Sequence, residues 1–136
     1  MAPPSFLSAS LYVALGGGLG AWLRFMTGRA AVALLGPVKA SAFPWSTLFC
    51  NVAGSLAMGL LAGWLARHAA GAGEATRLFL AVGVLGGFTT FSAFSLELVL
   101  MAQRGQIGLA AIYAALSLAA GLAGLLLGLN LMRTAT

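Results

Sequence analysis

The chain has 136 residues, 61% of them hydrophobic and only 7% charged, whereas soluble domains carry about a quarter of their residues as charges. That balance excludes a soluble domain and points to an all-α integral membrane protein, one domain of four spanning helices with short connections. The net charge of +5 comes from seven scattered cations that form no basic face, which excludes nucleic acid as a partner and places the cations at helix ends as headgroup anchors in a lipid bilayer.

The first span is predicted over about residues 6–35. It holds no Lys or Arg before Arg24, so it reads as a span and not as a cleaved signal. Gly16, Gly17, Gly18 and Gly20 permit close approach of a neighbouring helix. A dinucleotide loop is disfavoured, because no strand precedes these glycines and the last position of the register is Ala21. Arg24 either snorkels to an interface or stands in a wet mouth that attracts anions. Arg29 and Lys39 make the first connection basic, and Gly36, Pro37 and Pro44 bound it as helix breakers.

The second span is predicted over about 45–67. Thr47, Asn51, Ser55, Gly59 and Gly63 recur every four residues and share one stripe. Small residues there serve tight packing. Asn51 puts a strong donor and acceptor into a dry layer, as either an interhelical hydrogen bond or part of a substrate path. Cys50 is the one cysteine, which rules out an intrachain disulfide and leaves a small buried hydrophobe. Arg67, His68, Glu74 and Arg77 fall in the second connection with Gly71 and Gly73. His68 has no second His or Cys at ligand spacing, and Glu74 reads as a solvated loop charge.

The third span, about 76–102, contains GVLGGFTTFSAFSLE, Gly83 to Glu97, and its middle is wrong for an ordinary spanning helix. Gly86 and Gly87 loosen the backbone, and Thr89 and Thr90 add hydroxyls. Phe91 and Phe94 fall within roughly 60° of one another on a helix, and Ser92 and Ser95 form a parallel polar row. Unwound backbone is tolerated in a membrane only where protein or a wet cavity covers it. The stretch therefore reads as a broken helix carrying a small polar site, against the plainer alternative of a Gly-kinked helix whose rings only pack. Glu97 is the one carboxylate within a span and a functional candidate on that ground, set about two turns before Arg104 in a vestibule near the interface. The fourth span, about 107–132, places Tyr113, Ser117, Gly121, Gly124 and Gly128 on one face.

The charges bear on assembly. Arg67, Arg77 and Arg133 lie on one side and Arg24, Arg29, Lys39 and Arg104 on the other, so the positive-inside rule gives almost no preferred orientation. Four short helices also enclose too little volume for a route within one chain. Together these suggest an antiparallel, dual-topology homodimer, the two-chain counterpart of an inverted repeat.

Three motifs, GGGLGAWLR (Gly16 to Arg24), WSTLFCNVAGS (Trp45 to Ser55) and GGFTTFSAFSLE (Gly86 to Glu97), closely resemble the Fluc/CrcB fluoride channels, and the likeness extends over essentially the whole chain. The resemblance implies a passive fluoride channel of the bacterial inner membrane with two pores along the interface of an antiparallel homodimer. It implies a pore set of Phe91, Phe94, Asn51, Thr47, Ser92, Tyr113 and Ser117, with Arg24 near the aqueous entrance and Glu97 as a vestibule acid. It also implies one structural Na+ at the dimer centre, held by the backbone carbonyls of Gly86 and Thr89 from both chains. The family usually has a Thr where this chain has Ala93, which removes one hydroxyl. Two other readings account for the residues less well. A small multidrug-type transporter needs a carboxylate in its first span, and this first span has none. A non-transporting scaffold accounts for the glycines but not for the Phe-Ser ladder. An enzyme is disfavoured, because no serine has a base within plausible reach.

Overall fold

The computed structural model describes residues 4–68 and 73–134. Four helices, Phe6–Leu35, Trp45–Arg67, Glu74–Gln103 and Ile107–Thr134, are long and apolar enough to cross a membrane. The chain is thus a multi-pass, all-helical membrane protein whose third span is broken. Gly71, assigned to the second connection, lies outside the described residues.

Helix α1 (Phe6–Leu35) begins at Ser5, whose hydroxyl accepts the Ser8 amide, and stops at Gly36. Gly36 has φ +79°, a left-handed setting that glycine takes without steric cost. The first connection is more ordered than its breakers suggest. Pro37 starts a short helix, α2 (Pro37–Ala42), because a proline at the first helical position lacks only an amide that has no helical partner there. Phe43 then turns back, and its ring meets Tyr113 edge-on at 5.3 Å and Trp45 at 4.6 Å. Helix α3 (Trp45–Arg67) follows, and its last turn is tied to the end of the fourth span by Arg67 donating to the Met132 carbonyl.

The third span is assembled from four pieces. Glu74 sits in α4 (Glu74–Thr76) and pairs with Arg77 at 2.6 Å, so it is a helical residue and not a loop charge. Arg77–Leu85 is wound as a π-helix, a widening that the sequence reading did not anticipate, and α5 (Gly86–Phe88) completes the first half. The break falls at Thr89 and Thr90, which are both extended, two residues beyond the glycines that pointed to it. Thr90 then caps α6 (Phe91–Gln103) by accepting the Ala93 amide at 3.3 Å. Helix α6 ends in a Schellman motif: Gln106 N–H bonds the Met101 carbonyl, Gly105 N–H bonds Ala102, and Gly105 has φ +75°. Helix α7 (Ile107–Thr134) is the fourth span.

Two glycine seams hold these pieces together. Helix α1 packs along the π segment and α5, with Gly16 and Gly20 facing Gly83 and Gly87 so closely that an added Cβ at any of the four would strike backbone. Helix α3 packs along α7 with Gly59 against the Leu125 carbonyl and Gly128 against the backbone of Leu56 and Leu60. Without a hydrophobic force between helices in lipid, such close approach is how they gain contact. The side-chain core is correspondingly small. Phe94, Met101, Ala110 and Tyr113 form it, at the end of the bundle where Phe43 folds back. The remaining large apolar side chains mostly face outward, as lipid requires.

Candidate functional site

Three helices each contribute two residues one turn apart: Thr47 and Asn51 on α3, Phe94 and Glu97 on α6, and Tyr113 and Ser117 on α7. The helical repeat sets these pairs on matching faces, and the packing of α6 and α3 on α7 brings them together. Glu97 is the hub. Its carboxylate accepts the Thr47 hydroxyl at 2.7 Å and the Tyr113 hydroxyl at 2.8 Å. Tyr113 is fully buried and Thr47 nearly so, and each has a single hydroxyl proton, already committed to Glu97. Glu97 is therefore bonded into the bundle, although it also borders a pocket of about 180 Å³ with Ser41, Phe43 and Arg104.

Asn51, 39 residues before Thr90 in the chain, meets the break from the side. Its Nδ2 donates to the Thr90 carbonyl at 3.1 Å, and its Oδ1 accepts the Thr90 amide at 2.8 Å. One amide proton of Asn51 remains beyond that pairing. Gly54, one turn further along α3, leaves room for the Thr89 methyl, which an added Cβ would hit.

Next to the break an open cavity of about 320 Å³ is lined by Asn51, Ser55, Thr89, Thr90, Phe91, Phe94 and Ser117. The Ser117 hydroxyl oxygen is buried and has no hydrogen-bond partner among the described residues. The two rings behave differently although their centroids are 6.0 Å apart. Phe94 is 8% exposed and rests on Tyr113 at 5.2 Å, whereas Phe91 is 78% exposed and stands off the chain's own surface. The expected serine row is partly self-satisfied: Ser95 donates to its own helix at the Phe91 carbonyl, and Ser92 sits 3.4 Å from the Thr90 hydroxyl.

Arg24, read as either an interfacial snorkel or a residue of a wet mouth, is set away from the ends of its helix. It lies well inside α1, half-buried, with its Nε atom buried and unpartnered among the described residues. His68 closes α3, with its ring stacked on Trp64 and its Nδ1 atom 2.9 Å from the Trp64 carbonyl. Sequence reasoning missed Thr90 as the residue on which the site turns. The signal was present: a threonine three residues ahead of Ala93, at a helix start, is a cap position.

Residues 11–129 match the family described as CrcB-like protein, Camphor Resistance (CrcB). The chain is 62% identical over 127 residues to a protein of Novosphingobium aromaticivorans, covering 93% of this chain and 98% of that one. It is 54% identical over 127 residues to a protein of Hyphomonas neptunium (93% and 97% covered) and 50% identical over 131 residues to one of Erythrobacter litoralis (96% and 95% covered). All three relatives bear the name fluoride-specific ion channel FluC. With near full-length coverage of both the family and these relatives, the chain belongs to the CrcB family.

Proposed function

We propose that the chain is a passive, fluoride-selective channel that works as an antiparallel homodimer in the bacterial inner membrane, with two pores at the subunit interface. The observation that carries this reading is the cavity beside the break. It brings Asn51, Ser117, Phe94 and the exposed Phe91 together, yet one chain leaves it open. A second, inverted copy would close it and cover Phe91.

Fluoride is small and holds its water tightly, so a pore must replace that shell with donors. The remaining Asn51 amide proton and the unpartnered Ser117 hydroxyl are such donors. Phe91 and Phe94 meet an anion along their positive ring edges, which bind without a full charge and so let the ion leave. Thr47, Tyr113 and Ser92 complete the pore set. The first two act through Glu97, since a hydroxyl already donating to a carboxylate must reorient before it can donate to an anion. Arg24 supplies positive charge along the approach, and Glu97 borders the vestibule pocket.

The central Na+ has a fitting donor set. In a continuous helix the Gly86 carbonyl would accept the Thr90 amide, and the Thr89 carbonyl the Ala93 amide. Here those amides bond the Asn51 Oδ1 atom and the Thr90 hydroxyl instead, so both carbonyls lack their helical donors. Hard cations take oxygen ligands of this kind. A bound ion would supply fixed positive charge near the pores.

The deciding experiment is fluoride efflux from liposomes holding the purified protein, read with a fluoride electrode beside a chloride control. Rapid fluoride release with little chloride release is the expected result. No fluoride release from folded dimers would remove the channel reading.

A further inference from the structure

We infer that Asn51 is a positioning residue for the central cation site: it takes from the Gly86 carbonyl the Thr90 amide a helix would give it, and it holds Thr90 extended, where the Thr90 hydroxyl takes the Ala93 amide from the Thr89 carbonyl. The inference rests on the Na+ reading above and adds a residue to it.

A primary amide offers an acceptor and a donor in one plane, as a peptide unit does, so Asn51 pairs with both polar groups of Thr90 as a neighbouring strand would. Without that partner the two groups would lie unsatisfied in the bilayer, or the segment would rewind and return the Thr90 amide to Gly86. The clamp is well founded mechanically. Asn51 stands on α3, which the Gly59 and Gly128 contacts lock to α7, while the first half of the third span is locked to α1 by the other seam. Gly54 gives a second, independent hold on the break by receiving the methyl of the neighbouring Thr89. The one amide proton left on Asn51 faces a separate task in the cavity, so the two roles can be told apart by experiment.

The test is thermal unfolding of the purified protein in detergent across a Na+ series, with N-methyl-D-glucamine holding ionic strength constant. It is run on the parent, Asn51→Ala, Asn51→Asp and Ser117→Ala, with amide hydrogen exchange followed over residues 86–93. Na+ is expected to stabilise the parent saturably. In Asn51→Ala the Na+ concentration at half-effect should rise about tenfold or more, the usual consequence of losing a group that orients a ligand, and Thr90 should exchange faster. Asn51→Asp keeps the acceptor for the Thr90 amide but loses the donor and adds a negative charge that itself attracts Na+, so for this variant the readout is Thr90 exchange, which should be intermediate. This variant also serves if the alanine variant does not fold. Ser117→Ala lines the same cavity without touching the break and should keep the parental half-effect. Unchanged exchange in the Asn51 variants, with an unchanged half-effect in Asn51→Ala, would overturn the inference and leave Asn51 as a pore donor only. A parent indifferent to Na+ would instead overturn the Na+ reading and the inference with it.

Discussion

At the residue scale, the site is an allocation of protons. Thr47 and Tyr113 give theirs to Glu97, Asn51 gives one of two to Thr90, and Ser117 keeps its own. Tyr113→Phe removes one donor from Glu97 without opening a cavity. It is expected to cost about 1–3 kcal/mol of stability, the range for leaving an acceptor short of its partner, as chemical denaturation would show. Asn51→Asp replaces amide donors with a negative charge and is expected to reduce fluoride flux severely; flux at the parental rate would count against a pore role for Asn51. The two phenylalanines should separate. Phe94→Ile disturbs the packed cluster with Tyr113 and should lower both flux and thermal stability. Phe91→Ile, at a position exposed on the single chain, should lower flux with a smaller fall in unfolding temperature than Phe94→Ile. Unchanged flux in both would return the rings to a packing role.

At the scale of elements, the third span shows local chemistry and tertiary contact acting together. The glycines and threonines marked a broken helix, and the break is there. Its position at Thr89 and Thr90 depends on Asn51, 39 residues away, taking the Thr90 amide. The π winding of Arg77–Leu85 has no counterpart in local sequence preference; it lies where Gly83 meets Gly16 backbone to backbone. The stripes of Gly59, Gly63 and Gly128 were legible by spacing alone, because a period of four on a helix fixes the shared face. What each stripe faced was not legible, since small residues fit any close neighbour. The seams predict that Gly20→Leu, whose side chain would enter the Val84 carbonyl, abolishes recovery of folded protein on size-exclusion chromatography. Gly18→Leu, with open space around it, should be recovered at the parental yield.

At the scale of the whole molecule, the charge balance governs orientation. Arg24 lies inside α1, and leaving it out gives three cations on each side: Arg67, Arg77 and Arg133 against Arg29, Lys39 and Arg104. Three lysines added beside Lys39 should therefore fix one orientation, as site-specific labelling from each face would report. A chain inserted one way cannot build an antiparallel pair. Its flux should fall to background and return when it is co-expressed with a copy carrying the lysines on the opposite side. Flux retained in the single-orientation protein would exclude the antiparallel arrangement.

Composition and periodicity by themselves determined a four-span membrane protein, the glycine that ends its first helix, the small-residue faces and the polar candidates, because each follows from the bilayer's thickness, the helical repeat or the chemistry of one side chain. Only the tertiary structure decided that Glu97 gathers two hydroxyls, that Phe94 is buried while Phe91 is exposed, and that Asn51 pairs with the backbone of Thr90. A hydrogen bond or a buried ring face is a property of two elements meeting at a particular register, and no single stretch of sequence carries that register.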